Sequence, residues 1–398
     1  MVTFLKTLNS LAPITVMVLF TLLSTAAMGE VPEAVRAAMN NDWTPIRISF
    51  HGENEDAAPF RFYRWKFGEE GHYRIDQIVH LAENMLDYQN KDGGWRKNTD
   101  MSHQHTPPPE KRFGKSTFDN LTTYTQIMYL ARVRRVTGLK RYDEAIRMGI
   151  AYTIRSQNPR SGGWHGSDGD TITFNDGVMA NVMAFMKEVA RKDDLYGWLD
   201  PVLREKAERA YGKGLDCILT CQIKQGDTLT AWGQQHRHDS FETCGARGFE
   251  PPCITAAESV GVVRLLMNIE TPSPEVIRAV DAAIAWFEKV QIDAVHVHVG
   301  NIEGRDKTVV RNPDDPVIKV LLKGVSADPA NRVSGPPIWA RMYDPATNDI
   351  ILCDRGRKFV GSLAEMSHER RVGYGWHGTW PARLVGEDYP AWVKRVKQ

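Results

Sequence analysis

Three glutamines stand at nearly equal intervals, Gln89, Gln157 and Gln222, 68 and 65 residues apart, and each is followed by a tryptophan in the next loop. The first two run into Gly-Gly-Trp, ending at Trp95 and Trp164, whereas the third is looser, from Gly226 to Trp232. An interval of that size holds a helix pair and its loops. Helical hairpins that cannot bury both faces alone solve that problem by packing side by side. The repeat therefore points to a mainly α protein, an αα toroid of antiparallel helix pairs with long loops and a few short β-strands. It speaks for fold far more than for chemistry.

Apolar residues at three-to-four spacing predict helices over 80–88, 121–137, 142–156, 177–190, 203–221, 256–268 and 274–290. Pro274 suits the first turn of the last of these. The stretch 296–337 is rich in Val, Gly, Asp and Pro and reads as irregular segments with short strands, and 350–360 reads as a small hairpin around Asp354, Arg355 and Gly356.

Residues 1–29 differ from the rest: Lys6, an apolar run from Leu11 to Leu23, then small residues at Ala26, Ala27 and Gly29. That is the layout of a secretory signal peptide. The expectation is a single catalytic domain over 30–398, secreted or periplasmic, monomeric, with no stable membrane span after processing. Fifty Lys plus Arg balance 49 Asp plus Glu, a formal charge of +1, so net charge gives no reason to expect a nucleic-acid partner. Five cysteines exclude a dense disulfide framework, and their odd number leaves one unpaired within the chain. Cys244 to Cys253 is the most plausible loop staple, while Cys217 and Cys221 are spaced to share a buried helix face. Without a CxxC pair or an HExxH a zinc cluster is not expected.

Chemistry enters where polar residues adjoin the apolar helices. KSTFDNLTT places Asp119 and Asn120 at a helix start, and TITFNDGVM places Asn175 and Asp176 at another. Carboxylate and amide oxygens are hard ligands, and two such pairs brought together could hold Ca²⁺, with substrate oxygens and water completing its shell. The competing reading is helix capping, for which Asp and Asn are equally suited. Later connectors carry Trp232, Gln235, His236, Arg247 and Glu250, then Trp339, Arg341, Tyr343, Asp354 and Arg355, then Arg370, Arg371, Tyr374, Trp376 and Trp380. Arginine recognises carboxylates in bidentate fashion, and aromatic faces beside polar groups hold sugar rings. Together these segments describe a groove for an acidic carbohydrate, with Trp232 and Trp339 among its aromatic contacts.

The order of motifs resembles polysaccharide lyase family 10, pectate lyases with a mainly helical toroidal catalytic domain. The landmarks are DGGWRKN at 92–98, STFDNLTT at 116–123, QNPRSGGW at 157–164, ITFNDGVM at 172–179, LTAWGQQH at 229–236, ARGFEPP at 246–252, ESVGVVRLLMNIE at 258–270, PPIWARMYDPATN at 336–348 and ERR with GYGWHGTWP at the end. The resemblance implies that Asp119, Asn120 and Asp176 help to bind Ca²⁺ and the sugar acid, that Arg247 is the catalytic base and that Arg341 contacts substrate. Asn175 and Lys97 fall in the same landmarks and are assigned to the groove. The sequence departs from the family where DTITFND lacks the frequent His before Ile and GVM replaces NAM. It also reads Arg247, Gly248, Phe249, Glu250 in place of Arg-Ala-Tyr-Glu, and has extra residues around 308–337.

The implied reaction is anti β-elimination in polygalacturonate or low-methylated pectin, leaving a 4,5-unsaturated end. Arginine is an unusual base because its protonated form has no acceptor. By composition alone His236 or Glu250 would be the nominee. Two other classes are compatible with the residues. One is a glycoside hydrolase using two carboxylates such as Asp119 and Asp176, and the other is a noncatalytic pectin-binding module. A terpene cyclase fits a polar, Arg-containing groove poorly.

Overall fold

The structure, a computed structural model, describes residues 75–99, 101, 114–166, 170–192, 195–292, 295–302, 305–310, 332–334, 337–361 and 363–396. The signal segment 1–29 and most of the extra stretch 308–337 lie outside the described residues. Among the described residues no helix is long and apolar enough to cross a membrane.

Seven helices carry the architecture: α1 (Ile75–Tyr88), α2 (Tyr124–Thr137), α3 (Asp143–Arg155), α4 (Val178–Ala190), α5 (Pro201–Cys221), α6 (Ala256–Met267) and α7 (Pro274–Val290). Helices α2, α4 and α6 pack on one another in turn, and each buries most of its residues. Helices α3, α5 and α7 form a second layer outside them, and α1 packs on α2. This is the αα-toroid arrangement, outer helix followed by inner helix. Local chemistry sets the helix ends. Asp200 accepts from Leu203 N at 2.8 Å ahead of Pro201 in α5, and Ser273 accepts from Val276 N at 3.4 Å ahead of Pro274 in α7. Gly138, at φ 72°, closes α2.

The repeat has a physical content. After α1, α3 and α5 the glutamine side chain donates twice, once within its own loop and once to the following outer helix or its first turn. Gln89 Nε2 reaches Gly93 O (2.8 Å) and Ala145 O (2.9 Å), Gln157 reaches Gly162 O and Ala210 O (both 2.8 Å), and Gln222 reaches Thr230 O and Ala279 O (both 2.8 Å). The tryptophan then turns inward and donates its indole N–H back to the preceding helix. Trp95 reaches Met85 O, Trp164 Thr153 O and Trp232 Ile218 O, at 2.9, 2.8 and 2.7 Å. Trp339 does the same to Phe287 O of α7 at 2.8 Å, so a fourth turn of the pattern exists that the sequence spacing conceals. All four rings are fully buried.

The stretch expected to hold irregular segments with short strands contains, among the described residues, an antiparallel sheet, with strand Val295–Ile302 between Arg305–Val310 and Arg332–Ser334. The hairpin at 350–360 is present as Cys353–Asp354 paired with Lys358–Phe359. The expected Cys244–Cys253 staple is absent, and all five cysteines are buried free thiols. The hydroxyl of Thr243 closes that loop in its place, donating to Cys253 O at 3.0 Å and accepting from Cys253 N at 3.3 Å.

The first glycine of each Gly-Gly-Trp is required twice over. Gly93 and Gly162 sit at φ 98° and 76°, and a Cβ at either would stand 2.3 or 2.4 Å from a carbonyl oxygen of the adjacent outer helix, Met148 or Lys213. Gly226, at φ 61°, has open space around it. Gly162→Ala is expected to lose about 3 kcal/mol or more in urea unfolding, against about 1 kcal/mol for Gly226→Ala, because only the former adds a backbone collision to the left-handed strain.

Candidate active site

The loops that descend from Trp95, Trp164 and Trp232 each end at the start of an inner helix. Thr117, Thr173 and Thr255 each donate their amide to the carbonyl of Trp95, Trp164 and Trp232, at 3.1, 2.9 and 2.8 Å. Three residues further on stand Asn120, Asp176 and Glu258. The first two lie in short 3-10 turns, Asp119–Leu121 and Asn175–Gly177, and adopt left-handed backbone at φ 50° and 51°. Asn and Asp tolerate that conformation better than other side chains. The capping reading is not upheld: neither α2 nor α4 has a side-chain N-cap, and Asp119 Oδ1 accepts the amide of Asn120 within its own turn, at 2.9 Å. These carboxylates are not used to start helices.

Three acidic groups therefore share the mouth of the inner layer. Lys97 Nζ sits 2.5 Å from Asp119 Oδ2. Glu258 accepts from Thr255 Oγ1 and forms an ion pair with Arg341. Asp176 accepts from Asn175 Nδ2 at 3.3 Å. Burial, then the charges of Glu258 and Asp119, push the Asp176 carboxyl up to about 6, and Arg247 and Arg341 offset this only in part. The site carries more negative charge than its own cations neutralise.

Arg341 is packed between the rings of Tyr374 and Trp380, 4.8 and 5.2 Å from their centroids, and its Nε donates to Gly375 O at 2.9 Å. The Tyr374 hydroxyl donates to Glu250 Oε1 at 3.1 Å and accepts from Gln234 Nε2 at 2.8 Å. Gln234 also reaches Asn175 Oδ1 at 3.3 Å, and its carbonyl accepts from Phe174 N and Asn175 N at 2.9 and 3.0 Å. Glu250, buried, grips Arg247 in a bidentate pair, Nε to Oε2 at 2.8 Å and Nη2 to Oε1 at 2.5 Å. That pair raises the already high pKa of Arg247, so in this arrangement the guanidinium is firmly protonated. Asn120 Nδ2 donates to Asn98 Oδ1 at 2.9 Å, on the Lys97 side. A cavity of about 780 Å³ opens beside Asp176, Glu258, Arg341 and Trp380.

Sequence reading and geometry agree on some residues and differ on others. Lys97, Asp119, Asn120, Asn175, Asp176, Arg247 and Arg341 fall in one connected region. Trp232 and Trp339 do not line it: both are core anchors with no exposed surface, because their indole N–H groups are spent on helix carbonyls. His236 is also structural. It accepts from Gly233 N at 2.9 Å and contacts Phe241 O at 2.7 Å, and burial pushes it down to about 4. Glu258 and Gln234 were missed as site residues, while Tyr374 was named only as one of the aromatic residues of the groove segments. For Glu258 a signal existed, since it follows Thr255 by the same three residues that separate Asp176 from Thr173.

Among the described residues no three His, Cys, Asp or Glu side chains are gathered closely enough to hold a metal ion alone. The donors present nevertheless suit a hard cation. Asp119, Asn120 and Asp176 supply oxygens, and a divalent ion would offset the burial and the carboxylate repulsion that together raise Asp176. Such an ion would need substrate oxygens and water to complete its shell.

Fold and site together define a helical toroid with a charged cleft of the polysaccharide lyase kind. The pectic acid lyase family pattern matches residues 89–385, about three quarters of the chain, and the chain belongs to that family. Among solved structures it is similar to a family 10 polysaccharide lyase from Cellvibrio cellulosa, at 25% identity and a TM-score of 0.65, over 87% of this chain and 100% of that one. An aspartate-to-alanine variant of a family 10 polysaccharide lyase from the same organism, in complex with trigalacturonic acid, matches at 24% identity and a TM-score of 0.64, over 87% and 99% of the two chains. Among curated proteins nothing matches. At the level of the family this is a lyase acting on polygalacturonate.

A raised carboxyl pKa has a defined consequence for stability. Between the unfolded value of 3.8 and about 6 the folded chain binds the extra proton, so this contribution is fully present below 3.8 and is lost as pH rises through 6. Without divalent cations, Asp176→Asn is expected to unfold at higher urea than the parent at neutral pH. The advantage should vanish at about pH 4, near the ordinary carboxylate range. Equal midpoints at neutral pH would show that Asp176 is not held against its neighbours' charge.

Proposed function

We propose that the chain is a Ca²⁺-dependent pectate lyase that cleaves α-1,4-linked polygalacturonate by anti β-elimination, giving 4,5-unsaturated oligogalacturonates. The observation that carries this reading is the opposition of charge in one region: Asp176, whose ionisation is opposed by burial and by Glu258 and Asp119, on an inner-helix turn, and Arg247 and Arg341 beside it.

Asp119, Asn120 and Asp176 would hold the Ca²⁺. When bound, it would draw in a uronate carboxylate and stabilise the negative charge that develops as the C5 proton leaves. Arg341, fixed by Glu258 and sandwiched between Tyr374 and Trp380, presents a cation of set orientation to a second carboxylate or hydroxyl. Arg247 is the proton acceptor in this reading. The C5–H electron pair forms the C4=C5 bond, the C4–O4 bond breaks, and O4 leaves with a proton from solvent.

For Arg247 to accept a proton it must first lose one, and the Glu250 pair opposes that. Its release has to come from a shift of Glu250 or from cations drawn into the cleft with the substrate. The Arg247, Arg355 and Arg370 guanidinium groups gathered over the Phe249 ring, at 4.9, 5.5 and 4.2 Å from its centroid, work in that direction. Like charges disfavour one another's protonated forms.

Ultraviolet absorbance of the conjugated product, with polygalacturonate and Ca²⁺, is expected to rise and to stop on adding a chelator. No rise from folded protein at neutral or alkaline pH, also on methylated pectin, would exclude the reaction. Arg247→Ala is expected to lower kcat by about a thousandfold in protein that is still folded, and to lower the unfolding midpoint as well, because Glu250 is left buried without its cation. Removing the anion that keeps Arg247 protonated has a readable sign. In Glu250→Gln the rising limb of kcat/KM against pH should move to lower pH, and a limb left in place would argue that Arg247 acts only as a fixed cation.

A further inference from the structure

A second cavity, of about 680 Å³, lies against the three-stranded sheet of Ile172–Thr173, Gln235–His236 and Thr243–Cys244. Arg160, Arg237 and Arg357 line it, all exposed, and among the described residues none of the three has a carboxylate partner. The lining also includes two exposed acids, so three guanidinium groups face two carboxylates. Asp170 Oδ1 lies 3.3 Å from His238 Nε2, and Asp239 Oδ1 accepts from Ser240 N at 2.8 Å. His238 is itself held by Ser161 Oγ at 2.6 Å. The free charge of this cavity is positive.

Its two walls are continuous with the two halves of the active site. One runs from Asp170 and Thr171 through strand Ile172–Thr173 directly into Asn175 and Asp176. The other runs from Thr243 and Gly245 to Arg247, two residues on. Arg357 binds the walls to the catalytic loop, because its amide donates to Gly248 O at 2.7 Å. Its guanidinium lies so close over Gly245 that a Cβ there would stand 2.4 Å from Nη2.

We propose that this cavity is a distal binding site for the carboxylates of a polyuronate chain. It would fasten the part of a long substrate lying beyond the catalytic centre, and short oligomers would not reach it. A polyuronate carries one carboxylate on every sugar, and guanidinium groups without a carboxylate partner are the side chains best suited to them. The assignment rests on the lyase reading above for its choice of ligand.

The test compares the parent with Arg237→Ala and with the double variant Arg237→Ala, Arg357→Ala. Each is assayed on polygalacturonate and on trigalacturonate, and each is run on native gels containing polygalacturonate, which report binding without turnover. The single variant removes an exposed side chain and guards against misfolding of the double. The expected result is a rise in KM for the polymer of about fivefold, close to 1 kcal/mol, with kcat and the trimer kinetics unchanged and gel retardation reduced. Unchanged KM and retardation in an active enzyme would overturn the site and leave the lyase reading intact, and equal losses on polymer and trimer would also overturn it. A parent without activity but retarded by polygalacturonate, with retardation lost in the variants, would uphold the site and sink the lyase reading.

Discussion

The glutamine that follows α1, α3 and α5 in turn is the interaction on which the rest of the molecule depends. Its carboxamide satisfies two carbonyls at once, one in its own loop and one in the next outer helix or its first turn, so it fixes the loop and the spacing between repeats in a single step. Each such bond is worth about 1 kcal/mol net, but leaving two buried carbonyls unsatisfied costs more. The buried indole that comes next sets the direction in which the loop runs down to the inner helix. Without this pair of constraints the starts of α2, α4 and α6 would have no reason to face one another.

What they bring together is charge under tension. Equivalent places in three repeats hold Asn120, Asp176 and Glu258, with Asp119 alongside, and the chain supplies Lys97 and Arg341 to answer two of the acids. Asp176 is left as the group whose ionisation is most opposed. Across from it Arg247 is in the reverse position, kept charged by Glu250. One acid is reluctant to ionise and one base is reluctant to lose its proton, and a ligand bringing both an anion and a divalent cation would relieve both.

The fold was legible because its causes are local and repeated. Glutamine spacing, Gly-Gly-Trp and helical periodicity located all seven main helices; the largest miss is the start of α1, at Ile75 and not at 80, and the next is at 121–123, where the 3-10 turn Asp119–Leu121 delays the start of α2. The site was legible where a motif repeated, at Asp119, Asn120, Asn175 and Asp176. Glu258 was overlooked because the third loop lacks the Gly-Gly that flags the other two, although Thr255 marks the same place. Trp232 and Trp339 were misread for an opposite reason. A tryptophan beside polar residues looks the same in sequence whether its ring faces a sugar or its N–H is tied to a helix carbonyl. Tyr374 and Gln234 act through contacts 140 residues apart, and no local pattern reports those.

The left-handed backbone at Asn120 and Asp176 has a consequence for how the cleft meets its ligand. A residue held at φ near 50° has few alternative conformations within a packed turn, so the direction of its side chain is largely settled when the chain folds. The conformational freedom that a flexible loop would surrender on binding has already been given up. Recognition can then proceed as the seating of a stiff polymer on a stiff frame, and selectivity comes from the fit of fixed charges and owes little to the closing of a lid.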